Sequence, residues 1–331
     1  MARWAGIFRE TAQRHALLDF DAELIEPRSR YVTILLKSAR LTDVRRGLER
    51  LYGVVHSVLR VPTDDGPAEF SEVVAPQQLA NVKAGRLDRV IHADHRLLGP
   101  VPYIGGAIEA QVGLLSVPSS ELVEPYLSLL RRLGEQAVVP FFSIAKPFVE
   151  PLVQGVNLLA GGGRGTNVEI GLDTSWPQMR TGHVVAVRAT RDNAERRSLT
   201  LGPDKASVVD GTGAPIDEPY LILEIRADER RPDWPSIPEL ATAYGRVREA
   251  YRRSGRAELN RALDDFSRTA TTCVDLLPHD RLAAERCVEE EVRRRGVPAH
   301  QARDGIPQDD GLRPLDQLAL YPDDPDHLSS S

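Results

Sequence analysis

The 331-residue chain is 41% hydrophobic, 27% charged and 5% aromatic, an ordinary balance for a soluble globular protein with room for one large or two ordinary domains. Its net charge of −6 sits mostly at the end: from Gln301 onward seven aspartates face two arginines, so the rest is near neutral and no segment is basic enough to imply nucleic acid. Two cysteines, Cys273 and Cys287, are too few for a disulfide framework and point to a reducing, cytoplasmic compartment.

Residues 1–30 open with MARWAGIFRETAQRH, charged throughout and without the continuous apolar core of a secretory signal. The stretch reads as a short amphipathic helix with Trp4, Ile7 and Phe8 on one side, followed by a lead-in. Such a helix is expected to pack on its own domain, and membrane contact is not favoured.

From 31 to 233 alternation takes over. YVTILL (31–36) and VVHSVLRV (54–61) are rich in β-branched residues, and PTDDGP follows as a turn. AIEAQVGLLSV sets Ile108, Ala110, Val112 and Leu114 on one face. NVEIGLDT sets Val168, Ile170 and Leu172 inward, with Glu169 and Asp173 outward. HVVAVRAT and YLILEIRA repeat the scheme, and GPDKASVVDGTGAPIDEP supplies turns between them. Period-2 runs of this kind make antiparallel sheets with one wet face. The expected fold is therefore α+β, with an antiparallel β-sandwich core. The stretch VTILLKSARLTDVRRGLERLYGVVHSVLRV resembles the opening strands of C2-like sandwiches, over that length alone and without a diagnostic motif.

A helical insertion over 119–160 splits the strand series. SSELVEPYLSLLRRLG carries helix start and stop chemistry. The following apolar run, 138–161, contains a stripe of Lys146, Glu150, Gln154 and Asn157 and is broken by Pro140, Pro147 and Pro151. A span would bury Lys146 and Glu150 in hydrocarbon at about 2.5–3.5 kcal/mol each; a helix with one wet edge fits better.

Residues 234–300 turn helical. Ser236 and Glu239 form a capping-box pattern, and Leu259, Leu263, Phe266, Ala270, Cys273 and Leu277 recur by four and three as a helix–helix seam. A third helix ends at Gly296. The acidic tail, 301–331, is expected to be disordered, with LDQLALY as a short docking anchor.

Gly161, Gly162, Gly163 and Gly165 make the most ligand-like run in the chain. Phosphate loops lead from a strand through glycines into a helix N-terminus. Here a helical pattern comes first and a strand after, so the glycines read as a helix C-cap and linker, and no cofactor is expected; an anion contact at Arg164 is the lesser alternative. His92, Asp94 and His95 in HADHRLLGPVPYIGG carry metal-ligand chemistry, but a site needs three or four convergent groups; the plain reading is a polar loop near a strand end. His56 on an alternating strand is a further catalytic candidate, and Asp64 and Asp65 suit a hairpin turn as well as calcium. Cys273 and Cys287 occupy core-like helical positions, and no Gly-x-Ser-x-Gly elbow is present.

The sequence thus favours a non-catalytic interaction or assembly protein over an enzyme, with a β-sandwich scaffold, helical docking surfaces and a protein partner or a second copy. The alternatives are a metal-dependent hydrolase centred on His92, Asp94 and His95, and a C2-like peripheral membrane module.

Overall fold

The computed structural model describes residues 16–20, 23–43, 45–46, 49–64, 66–74, 90–118, 167–253, 256–296 and 311–320. They divide into two compact units, Met1–Asp228 and Glu229–Ser331; the sequence places this boundary after residue 233. The amphipathic helix expected near the start, the helical insertion 119–160 and the glycine run 161–165 lie outside the described residues.

In chain order the first unit holds β1 (Ala16–Phe20), β2 (Tyr31–Arg40), β3 (Arg45–Arg46), β4 (Glu49–Val61), β5 (Ala68–Val74), β6 (Val90–Pro102), β7 (Ile108–Pro118) and β8 (Asn167–Trp176). After these come β9 (Gly182–Val187), helix α1 (Arg191–Arg196), the short β10 (Thr200–Leu201) and β11 (Val208–Val209), and β12 (Tyr220–Asp228). One sheet runs β1-β9-β12-β2-β6 and the other β3-β4-β7-β8, with β5 also on β4. Every pairing is antiparallel. The sheets meet where β4, β5 and β8 approach β6, β9 and β12. This is an α+β fold with antiparallel sheets at its core, filled by Ile34, Leu36, Leu59, Leu98, Ile108 and Leu114.

The lead-in contains a strand that the sequence reading did not expect: β1 pairs with β9 from Ala16↔Val187 to Phe20↔His183. A second difference concerns the wet face. Tyr220, Leu221, Ile222 and Leu223 are all buried, because residues 188–219 fold back over the sheet. Ala194 of α1, Leu199, Val208 and Ile216 pack there against Val185, Val187, Tyr220 and Ile222, and Ser38 Oγ donates to Ala206 O at 2.6 Å. A contiguous apolar run is the mark of a strand covered on both faces. Beyond Leu223 the same strand regains a polar face at Glu224, Arg226 and Asp228.

The stretch around His92–His95 is not a loop. It lies in β6, where three irregularities against β2 hide the two-residue period. Asp94 takes φ 42° and Gly99 φ 91°. A Cβ on Gly99 would stand 2.2 Å from Val32 O and 2.9 Å from Thr33 Cα, so only glycine fits both the dihedral and the space. Gly99→Ala is expected to cost about 2 kcal/mol or more, read as a lower midpoint in chemical denaturation; an unchanged midpoint would show that the bulge can relax.

The second unit contains α2 (Pro238–Arg253), α3 (Arg256–Thr272) and α4 (Pro278–Arg295), with 3-10 turns at Trp234–Ser236 and Leu315–Gln317. Ser236 belongs to the first of these turns rather than to a capping box, and α2 begins at Pro238. The seam is used inside the unit, though not along one helix: Leu259, Phe266 and Ala270 are buried on α3, which ends at Thr272, Leu263 is half-buried, and the buried Cys273 and Leu277 lie beyond it, Leu277 capping α4. Helix α3 packs against α2 and α4, and Tyr244 meets Phe266 edge-on at 6.2 Å. The seam is therefore not spare for another chain. In the tail, expected to be disordered, residues 311–320 are seated, with Leu312, Leu315, Leu318 and Leu320 buried.

Candidate functional site

The bulge at Asp94 decides what the His92/Asp94/His95 cluster can do. Irregular backbone at this point sends neighbouring side chains to different partners. Lys37 Nζ of β2 donates to Asp94 Oδ1 at 2.5 Å, while His95 Nε2 lies 3.3 Å from Glu72 Oε1 of β5. Asp94 thus joins a row across the first sheet, and His95 reaches to the second sheet. Of His92 the structure describes the backbone alone, opposite Ser38. Among the described residues no group of three His, Cys, Asp or Glu side chains is placed to hold a metal ion.

The row continues past Lys37. Its ammonium also lies 3.4 Å from Glu224 Oε2 of β12, and Glu224 accepts from Arg226 Nε at 2.8 Å and Nη2 at 2.9 Å. Four charges therefore alternate in sign over β6, β2 and β12 and sum to zero. The Asp94 hydrogen bond, reinforced by Glu224, holds the Lys37 pKa above its ordinary value against the effect of partial burial. That amine stays protonated at neutral pH and is no nucleophile. Desolvation opposes ionisation of Glu224, but Arg226 and Lys37 outweigh it and hold its carboxyl below the ordinary value.

Asp64 occupies the β4–β5 turn, closed by Thr63 N to Gly66 O at 3.1 Å and the reverse bond at 3.0 Å. Its carboxylate pairs with Arg28 at 3.0 Å, a hairpin role. Asp65 lies outside the described residues. His56 of β4 is buried, with Nε2 3.3 Å from Ser71 Oγ. Burial pushes its pKa down to about 4, so the imidazole is neutral at physiological pH. Burial likewise raises both thiols, Cys273 strongly and Cys287 to about 11, the reverse of thiol activation.

Glu169 is a correction to the expected outward orientation: it is buried. The β7–β8 register shifts between Leu114↔Ile170 and Leu115↔Val168, making Glu169 the extra residue of a bulge and turning it inward. There it accepts from Ser116 Oγ at 2.8 Å, Thr42 Oγ1 at 2.8 Å and Arg188 Nη1 at 3.3 Å. Thr42 and Arg188 follow β2 and β9, so this carboxylate ties the second sheet to the first. A charged residue inside a short apolar run was its sequence signal. The signals for Lys37 and Glu224 were of the same kind, each the first charge to follow a run of apolar residues in its strand.

Among the described residues no helix is long and apolar enough to cross a membrane. No protein-family description, curated protein or solved structure matches the chain.

Proposed function

We propose that the chain is a non-catalytic interaction or assembly protein of a reducing, cytoplasmic compartment, whose sheet unit presents the Asp94–Lys37–Glu224–Arg226 row to the surface of another protein. The observation that supports this best is the layout of the row. Its groups run in line over three neighbouring strands instead of converging on one point, as groups acting on a single reacting atom must. Alternating charge along a sheet face, with Asp94 and Arg226 the exposed ends of the row, is suited to a partner of complementary pattern, where it sets register and encounter rate more than raw affinity. Among the described residues, three further groups with chemical potential serve the fold: His95 pairs with Glu72, His56 lies in the interior, and Glu169 joins the two sheets. Two free thiols with raised pKa values suit reducing surroundings.

Light scattering on the full chain provides the test. A complex, with a second copy or a partner, should dissociate as salt rises and weaken about tenfold in Asp94→Asn, which removes the charge but keeps a side chain suited to φ 42°. If the chain stays at 36.6 kDa at every concentration and salt, and lysate pulldown recovers nothing that Asp94→Asn fails to recover, the reading is wrong.

A further inference from the structure

Residues 311–320 behave as a ligand that happens to be covalently attached. They contribute one 3-10 turn and belong to none of the three helices. Leu312, Leu315, Leu318 and Leu320 are buried, whereas Asp316 and Gln317 between them are exposed. The polar contacts are few and specific. Glu291 of α4, itself 1% exposed, accepts from Arg313 N at 3.0 Å on Oε1 and from Arg313 Nε at 2.9 Å on Oε2, and Arg313 Nη2 lies 2.7 Å from the same Oε2. Tyr244 OH of α2 donates to Arg313 O at 2.7 Å, and the Cys287 thiol of α4 donates to Ala319 O at 3.3 Å. The turn itself lies beside Trp234–Ser236.

We infer that the surface made by α2, α4 and the Trp234–Ser236 turn is a docking site for a short leucine-rich peptide carrying one arginine, which the 311–320 segment of a second copy of the chain can occupy in place of the chain's own. Apolar anchors flanking a charge that meets a buried carboxylate are the features by which short peptides are recognised in grooves. All of these contacts are made by ten consecutive residues, so a segment supplied by another copy satisfies the site as fully as the chain's own. The fourteen residues 297–310 separate the segment from α4. At no more than about 3.3–3.6 Å per residue they reach about 45–50 Å, enough for either arrangement. Within one chain the tether supplies a high effective concentration, so the closed monomer and the exchanged pair differ in connection and not in contacts. This surface is separate from the charged row of the sheet unit, and each can fail without the other.

Charge reversal separates the two arrangements in full-length protein. Arg313→Glu places a carboxylate against Glu291, and Glu291→Arg places a guanidinium against Arg313, so each variant alone expels its own segment. Mixed in equal amounts, they offer each other attractive pairs only in trans. Each alone should run at single-chain mass with Cys287 labelled by a thiol reagent at least tenfold faster than in the unaltered chain, while buried Cys273 stays slow. The mixture should show the mass of two chains and slow Cys287 labelling, and the double variant Glu291→Arg/Arg313→Glu should label slowly as a monomer. A mixture that stays at single-chain mass, with helical circular dichroism intact, overturns the proposal. Should Glu291→Arg fail to fold, the Arg313→Glu chain with a fluorescent peptide of residues 311–320 decides: saturable binding that again protects Cys287 supports the docking site, and no binding overturns it.

Discussion

Arg231→Ala is expected to destabilise the helical unit by about 3–5 kcal/mol, the scale for breaking a buried ion pair by removing one partner. The Arg231 and Asp275 side chains are both fully buried. The guanidinium donates from Nη1 to Asp275 O at 2.6 Å and to Asp275 Oδ1 at 3.4 Å, and from Nε to Asp233 Oδ1 at 3.1 Å. One side chain therefore joins the turn that leads into Trp234–Ser236 with the connection between α3 and α4. Alanine removes the fork and takes the Arg231 guanidinium away from the buried Asp275 carboxylate, and the loss of that pairing is the larger part of the cost. Arg231→Lys keeps the charge but not the planar donor set, so it should fall between the two. Urea denaturation followed by far-ultraviolet circular dichroism measures both; a loss below about 1 kcal/mol for alanine would mean that water reaches Asp275 in the variant.

That pair shows why part of the molecule was legible in sequence and part was not. Strand β7 could be read directly, since Ile108, Ala110, Val112 and Leu114 alternate and are all buried. So could the α3 seam and the end of α4, where Gly296 takes φ 74°. Each is a local pattern repeated along one element. Strand β6 could not, because its irregularities against β2 shift the period wherever a residue is added. The same device inverted Glu169, one bulged residue in an otherwise regular strand. The candidate site fared worse for a topological reason. Asp94 and His95 adjoin in sequence, yet their partners lie 57 and 23 positions away on different sheets. Nothing near HADH announces Lys37 or Glu72, so the three side chains looked like one cluster when the fold gives two of them separate duties. In the tail, composition pointed to disorder, but four leucines at 312, 315, 318 and 320 outweigh the local acidity once α2 and α4 provide a surface.

Acid should destabilise the sheet unit through His56, and the sign follows from burial. In the unfolded chain the imidazole titrates near 6.5, whereas in the fold desolvation lowers its pKa to about 4. The unfolded state therefore binds the proton more readily, and stability is fully present above pH 6.5 and lost as pH falls toward 4. A shift of this size is worth about 3 kcal/mol by pH 4 and about 2 kcal/mol at pH 5. The Ser71 hydroxyl can serve the neutral ring as donor or acceptor, but it brings no charge to offset an imidazolium. His56→Leu places an apolar side chain of similar bulk on β4 and removes the titration, so its unfolding free energy should fall less steeply between pH 7.5 and 4 than that of the unaltered chain. Carboxylates elsewhere act on both proteins alike and cancel in the difference. Urea denaturation at closely spaced pH values gives that difference directly. Parallel curves for the two proteins would place the proton on His56 in the folded state as readily as in the unfolded one, and the ring could not then be as deeply excluded from water as its position between β5 and β7 requires.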